Sequence, residues 1–86
     1  MTAYQVELAP AAARQLSKLS RDVRVVAASA LAALAWNPRP PGCVKLSGSK
    51  DLWRLRFGSY RVVYQIADDR KVITVVKIGH RKEIYR

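Results

Sequence analysis

Cysteine is almost missing from the chain: Cys43 is the only one in 86 residues, which excludes an internal disulfide framework. Histidine is equally scarce, since His80 stands alone, so the Cys/His ligand spacing of a zinc module is excluded as well. A reducing, cytoplasmic setting is the expectation from this usage, with no metal and no cofactor. Long apolar runs are also lacking. Residues 1–8 hold no cationic segment leading into an apolar stretch, and the Ala-rich region 23–36 is too short to cross a bilayer, so neither secretion nor membrane anchoring is expected. Repeats, linkers and low-complexity tracts are absent, and a single domain over residues 1–86 is predicted, near the lower size limit for a self-sufficient core.

Acidic residues are the other shortage. Six Asp and Glu face sixteen Lys and Arg, leaving a formal net charge of +10. Such self-repulsion is relieved by a polyanion, so a nucleic acid or an acidic protein is the expected partner. Half of the residues are hydrophobic and the charges are spread among them, which excludes a disordered tail and implies a compact core.

The patterning of what is present predicts an α+β fold. Residues 4–8 alternate apolar and polar before Pro10, the signature of a short strand. Residues 10–19 place Ala13, Leu16 and Leu19 at helical spacing, with proline suited to the first turn. Ser20 with Asp22 reads as the cap of a second, more buried helix over residues 23–36, with Trp36 and Trp53 in the core. Asn37-Pro38-Arg39-Pro40-Pro41-Gly42 breaks the chain into a helical half and a strand half. Residues 52–57, 60–67 and 72–78 are rich in β-branched and aromatic types and are separated by Gly58-Ser59 and Asp68-Asp69-Arg70. They predict a three-stranded antiparallel meander, with the two helices packed on one face and the first strand added at an edge.

One face of that meander is cationic. Alternation sends Trp53, Leu55 and Phe57 to one side and Arg54 and Arg56 to the other. A two-residue turn at Gly58-Ser59 sets Arg56 opposite Arg61 and Arg54 opposite Val63, so three arginines share a patch. Like charges facing each other across a sheet are unfavourable by a few tenths to about one kcal/mol per pair, and a bound phosphate removes that cost. The plain alternative is the solvated outer face of an amphipathic sheet. A three-residue loop at Asp68-Asp69-Arg70 puts Val72, Val76 and Ile78 on the core side, with Lys77 and Arg81 joining the arginines. The final segment adds His80, Arg81, Lys82 and Tyr85 near that face. An imidazole, fixed cations and a phenol are the parts of a metal-free phosphodiesterase, which needs a base for a 2′-hydroxyl, positive charge on the phosphate and an acid for the leaving oxygen. Against this stand a surface histidine beside a strand end and a terminal tyrosine making a small apolar contact.

Residues 52–65, followed by Gly79-His80-Arg81 and Tyr85, resemble the RelE/ParE toxin superfamily, and the resemblance covers nearly the whole chain. It implies a ribosome-dependent endoribonuclease that cleaves messenger in the aminoacyl site by attack of a 2′-hydroxyl on the adjacent phosphate. It also implies neutralisation by a cognate acidic RelB-like antitoxin in a hetero-oligomeric complex. By position, Arg54 and Arg56 match the family's two RNA-contacting basic residues and Arg61 the arginine that holds the scissile phosphate. Arg81 matches the residue of charge stabilisation or leaving-group protonation, and Tyr85 the aromatic that orients the base. Lys77 and Lys82 are expected to add RNA contacts. Arginine replaces the family's lysine at Arg54 and Arg56, and because arginine stays protonated, His80 is the expected general base. The rival readings are a ParE-like gyrase inhibitor of the same superfamily and a non-catalytic RNA-binding module.

Overall fold

The computed structural model of the chain describes residues 3–46, 48 and 51–80. Strand β1 (Gln5–Leu8) leads into helices α1 (Pro10–Ser17) and α2 (Arg21–Leu34), followed by β2 (Val44–Lys45), β3 (Leu52–Phe57), β4 (Tyr60–Ala67) and β5 (Val72–His80). The five strands form one mixed sheet in the order β1-β5-β4-β3-β2. Only β1 runs parallel to its neighbour. The α+β class, the edge position of β1 and the meander agree with the sequence; β2 is a two-residue addition at the opposite edge.

The β3–β4 turn follows from one glycine. Gly58 takes φ +60 at the first central position of a two-residue loop, the pattern of a type II′ turn, whose twist suits the flanking strands. Phe57 therefore pairs with Tyr60, Arg56 with Arg61 and Arg54 with Val63.

The β4–β5 connection corrects the predicted register. Ala67 pairs with Val72, so the loop is four residues, closed by Lys71 in the left-handed region at φ +57. Ile73 and Val75, rather than Val72 and Val76, are the fully buried residues of β5, facing Ile66 and Tyr64. Carried onward, this register would turn Lys77 into the core. A β-bulge prevents it: the pairing shifts between Val63 and Tyr64, leaving Val76 as the extra residue of β5. Parity is restored beyond it, with Ile78 in the core opposite Val62 and Lys77 on the open face opposite Val63.

The core joins Val62, Tyr64 and Ile66 of β4 and Ile73, Val75 and Ile78 of β5 to Ala12, Leu31 and Leu34 of the helices. Tyr64 is fully buried and its hydroxyl donates to the Pro38 carbonyl at 2.7 Å, which satisfies the phenol and ties the proline-rich linker to the sheet. Burial pushes the Tyr64 phenol well above its ordinary pKa. Past the end of β1, the Ile78 amide finds its acceptor in Gln15 Oε1 of α1 at 2.7 Å, so the helix takes over where the strand stops.

Helix faces and one tryptophan also differ from expectation. In α1 the buried residue is Ala12, while Ala13 is exposed and Leu16 and Leu19 pack at the core margin. Ser20 holds the N-cap position of α2 without a side-chain capping bond, and Ala27, Leu31 and Leu34 form its inner face. Trp36 is not a core residue: it is 72% exposed, because it lies beyond Leu34 on the side of the helix turned away from the sheet. Trp53 does pack against the core. The Arg39 guanidinium lies 5.0 Å from the Trp53 ring centroid and donates to Asp68 from its two terminal nitrogens, at 3.3 and 2.8 Å. The Tyr4 hydroxyl donates to the same carboxylate at 2.6 Å. Together they join the linker, β1 and the β4–β5 loop.

Candidate nucleic-acid interface

The helices cover one side of the sheet, and strand alternation turns a second set of side chains to the other. Arg54 and Arg56 of β3, Arg61 and Val63 of β4, and Lys77 of β5 share that open side. The register arranges them in two rows across three strands: Arg54, Val63 and Lys77 in one, Arg56, Arg61 and Gly79 in the next. Directly opposite side chains such as Arg56 and Arg61 have Cβ atoms roughly 4.5–5.5 Å apart, and Arg54 and Lys77 are diagonal neighbours of Arg61, at roughly 7–8 Å. Arg56 is exposed, Arg54 and Lys77 are half-buried, and Arg61 at the centre is 8% exposed. Gln65 and Thr74, opposite each other, extend the same face with uncharged polar groups; the alternation of β4 is the sequence signal that places Gln65 there.

Three acidic residues lie at the far end of these strands, while Asp22 lies beside the Gly58 turn. Asp51, Asp68 and Asp69, half of the chain's six acids, line a pocket of about 270 Å³ with Gln65 and Arg70. Within the acidic group, the hydrogen bond from Arg39 first, and that from Tyr4 second, hold the Asp68 carboxyl at a pKa of about 2.

His80 does not join the arginines, which corrects the placement expected from sequence. It pairs with Tyr60 at the end of β5, and the two rings meet edge to face with centroids 5.5 Å apart. Tyr60 in turn stacks on Phe57, 5.9 Å away. Strand alternation therefore turns the imidazole toward the helix side, the same side as Ile78, while Arg61 projects from the other. The other expected site residues of the final segment, Arg81, Lys82 and Tyr85, lie outside the described residues. Among the described residues no three His, Cys, Asp or Glu side chains cluster closely enough to hold a metal ion. No described helix is long and apolar enough to cross a membrane.

Comparison with known proteins agrees with this architecture. Residues 6–85 match the family model of the ParE toxin of the type II toxin–antitoxin system parDE. A putative RelE-like toxin protein of Escherichia coli is 35% identical over 81 residues, covering 92% of this chain and 84% of the relative. The mRNA interferase toxin RelE of Escherichia coli K12 is 32% identical over 87 residues, covering 96% and 90%. The crystal structure of the intact E. coli RelBE toxin–antitoxin complex contains a chain of the same fold, with TM-score 0.81, 30% identity, and coverage of 91% of this chain and 96% of that one. The sheet order, the basic open face and these similarities have one reading: the chain belongs to the RelE/ParE family, as a RelE-like toxin of a type II toxin–antitoxin system.

Proposed function

We propose that the chain is an mRNA interferase, a ribosome-dependent and metal-independent endoribonuclease that cuts messenger in the aminoacyl site and is neutralised by a cognate acidic RelB-like antitoxin. The observation that carries this reading is the arginine face, in which Arg61 stands opposite Arg56 and one register step from Arg54 and Lys77. Attack of a 2′-oxygen on the adjacent phosphorus, with its proton passing to solvent water, breaks the bond to the 5′-oxygen, which takes a proton from solvent, giving a 2′,3′-cyclic phosphate and a 5′-hydroxyl. Negative charge builds on the non-bridging oxygens during that step, and Arg61 is the group assigned to them, with Arg54, Arg56 and Lys77 holding the flanking backbone. Arg81 is assigned to the leaving oxygen, and Tyr85 and Lys82 to the substrate base and backbone. The arginines remain protonated and serve as electrostatic groups only. His80, turned to the helix side, is not assigned the base.

The names of the relatives favour cleavage, since two of them are called mRNA interferases. The family model, named for ParE, is the specific observation behind a second reading, a gyrase inhibitor on the same fold. Purified chain added to translating ribosomes, with messenger 5′ ends mapped by primer extension, separates the two. New ends inside the aminoacyl-site codon, lost in Arg61→Ala and Arg81→Ala, are expected. Intact messenger at every dose together with blocked gyrase supercoiling moves the chain to the ParE reading. RNA retained without cleavage, and released as salt rises, reduces the face to a binding module.

A further inference from the structure

Beyond the two arginine rows the open face changes character. Gln65 of β4 stands opposite Thr74 of β5, and Thr74 pairs with Glu7 of β1, so the next row across the sheet runs Leu52, Gln65, Thr74, Glu7. No cation belongs to it. Gln65 and Thr74 also line the pocket of about 270 Å³, which is closed at the strand ends by Asp51 and by the turn residues Asp68, Asp69 and Arg70. Asp68 is engaged by Arg39 and Tyr4. Among the described residues, no other side chain hydrogen-bonds to the Gln65 amide, the Thr74 hydroxyl or the carboxylates of Asp51 and Asp69.

The lining selects its ligand. Carboxylates repel a phosphate. A metal ion needs converging ligands, and among the described residues no three His, Cys, Asp or Glu side chains come close enough together. An apolar ligand leaves the amide, the hydroxyl and the carboxylates without partners. A planar heterocycle with donors and acceptors along its edge meets every group. The Gln65 amide and the Thr74 hydroxyl both donate and accept, while the carboxylates only accept. The exposed Arg70 offers a flat guanidinium on which a base can stack. The pocket is smaller than the roughly 300–1,000 Å³ of sites for drug-sized ligands, which suits a single base. The excess of acceptors decides which bases fit: cytosine, adenine and guanine each carry an exocyclic amine, whereas uracil carries carbonyls in its place. Gln65 lies four residues from Arg61 on β4, about 13 Å at about 3.3 Å per residue, so the base taken here lies further along the messenger than the phosphate at Arg61.

We propose that the pocket floored by Gln65 and Thr74 is a base-reading subsite, which holds one amine-bearing base of the messenger and disfavours uracil. This rests on the interferase reading and adds sequence selection to it. The arginines take the sugar–phosphate backbone of any sequence, whereas the pocket takes a base edge. Asp51 and Asp69 accept from the amine, and Gln65 and Thr74 complete the remaining positions of the edge. A uracil in the same place sets its carbonyl oxygens against acceptors and leaves the carboxylates unmatched, the arrangement by which a hydrogen-bonding site rejects an analogue.

The test is a messenger library, randomised at the aminoacyl-site codon and its flanking nucleotides, cut on translating ribosomes and read by sequencing the new 5′ ends. At one position near the cut, the wild type is expected to favour cytosine over uracil by about fivefold or more; the two rings are the same size and differ in the amine. Asp69→Asn, which puts a donor into the pocket, and Gln65→Leu are each expected to bring that ratio below about twofold. The Arg54→Ala/Arg56→Ala double variant slows cleavage of all sequences alike and keeps the ratio. Gln65 and Asp69 are both exposed, and circular dichroism melts verify folding; if one variant does not fold, the other decides. A wild type that cleaves without discriminating against uracil overturns the proposal. So does a ratio that the pocket variants retain, which puts its source on the ribosome or elsewhere on the chain. If the wild type leaves the library intact, the interferase reading falls and the pocket is judged by binding alone. Anisotropy then compares fluorescein-labelled RNA octamers, one of uridine throughout and one with a single central cytidine. Tighter binding of the cytidine octamer by about fivefold, lost in Asp69→Asn, keeps the subsite; equal binding, or none, overturns it.

Discussion

Arg56 and Arg61 face each other directly across β3 and β4, with Arg61 only 8% exposed at the centre of the open face. Two guanidinium groups in opposed positions oppose folding slightly and favour an anion between them, so stability and function pull in opposite directions at this pair.

That opposition is measurable at Arg56, the exposed member. Arg56→Thr is expected to raise stability by a few tenths of a kcal/mol, up to about 1, in urea denaturation, while weakening RNA binding and flattening its salt dependence. Arg61→Ala is expected to lower messenger cleavage by about 10²–10³-fold, the loss typical of removing one preorganised donor from a developing oxyanion. A variant that cleaves at the wild-type rate removes Arg61 from the phosphate.

The edge-to-face contact of His80 with Tyr60 makes a second expectation definite. With its ring on the helix side, His80→Gln leaves single-turnover cleavage within about threefold of wild type, far less than the 10²–10⁴-fold that removal of a general base costs. A loss in that larger range returns the base to His80 and requires the end of β5 to rotate when RNA binds.

Acid stability follows from Asp68. Its carboxyl has a folded-state pKa of about 2, set by the hydrogen bond from Arg39 first and by that from Tyr4 second. The ordinary carboxylate value lies near 3.9. Because the folded value is the lower one, this group's contribution is fully present above about pH 4 and is lost as pH falls toward 2. The melting temperature of the wild type is therefore expected to fall more steeply across that window than that of Asp68→Asn. Parallel curves for the two proteins contradict the clamp.

At Tyr64 the test concerns the linker. Tyr64→Phe keeps the ring in its buried site but removes the donor to the Pro38 carbonyl, at an expected cost of about 1–2 kcal/mol. Equilibrium denaturation measures it, and a cost near zero means that water replaces the phenol.

Local chemistry made much of this legible without coordinates. The glycine at the β3–β4 turn fixes a two-residue loop, and from that loop the pairings of Arg54, Arg56 and Arg61 between β3 and β4 follow by counting. The β4–β5 turn carries no such marker: Asp68, Asp69, Arg70 and Lys71 suit loops of three or four residues, and the choice depends on which valines and isoleucines pack against the helices. The bulge at Val76 is equally hidden, since nothing in Val75-Val76-Lys77 distinguishes it from regular strand. Trp36 misleads for a related reason. Its size suggests a core, but its position two residues beyond Leu34 sends it to the far side of α2.

By itself the sequence determined the element types, the strand meander, the cationic face and the family, because these depend on periodicities of two and 3.6, on turn residues and on local motifs. Only the tertiary structure decided the parity of β5, the side on which His80 lies and the exposure of α2's outer stripe. Each of these is a contest between alternative packings of similar apolar residues, resolved by which arrangement buries Tyr64, Ile73 and Val75 while keeping Lys77 out of the core.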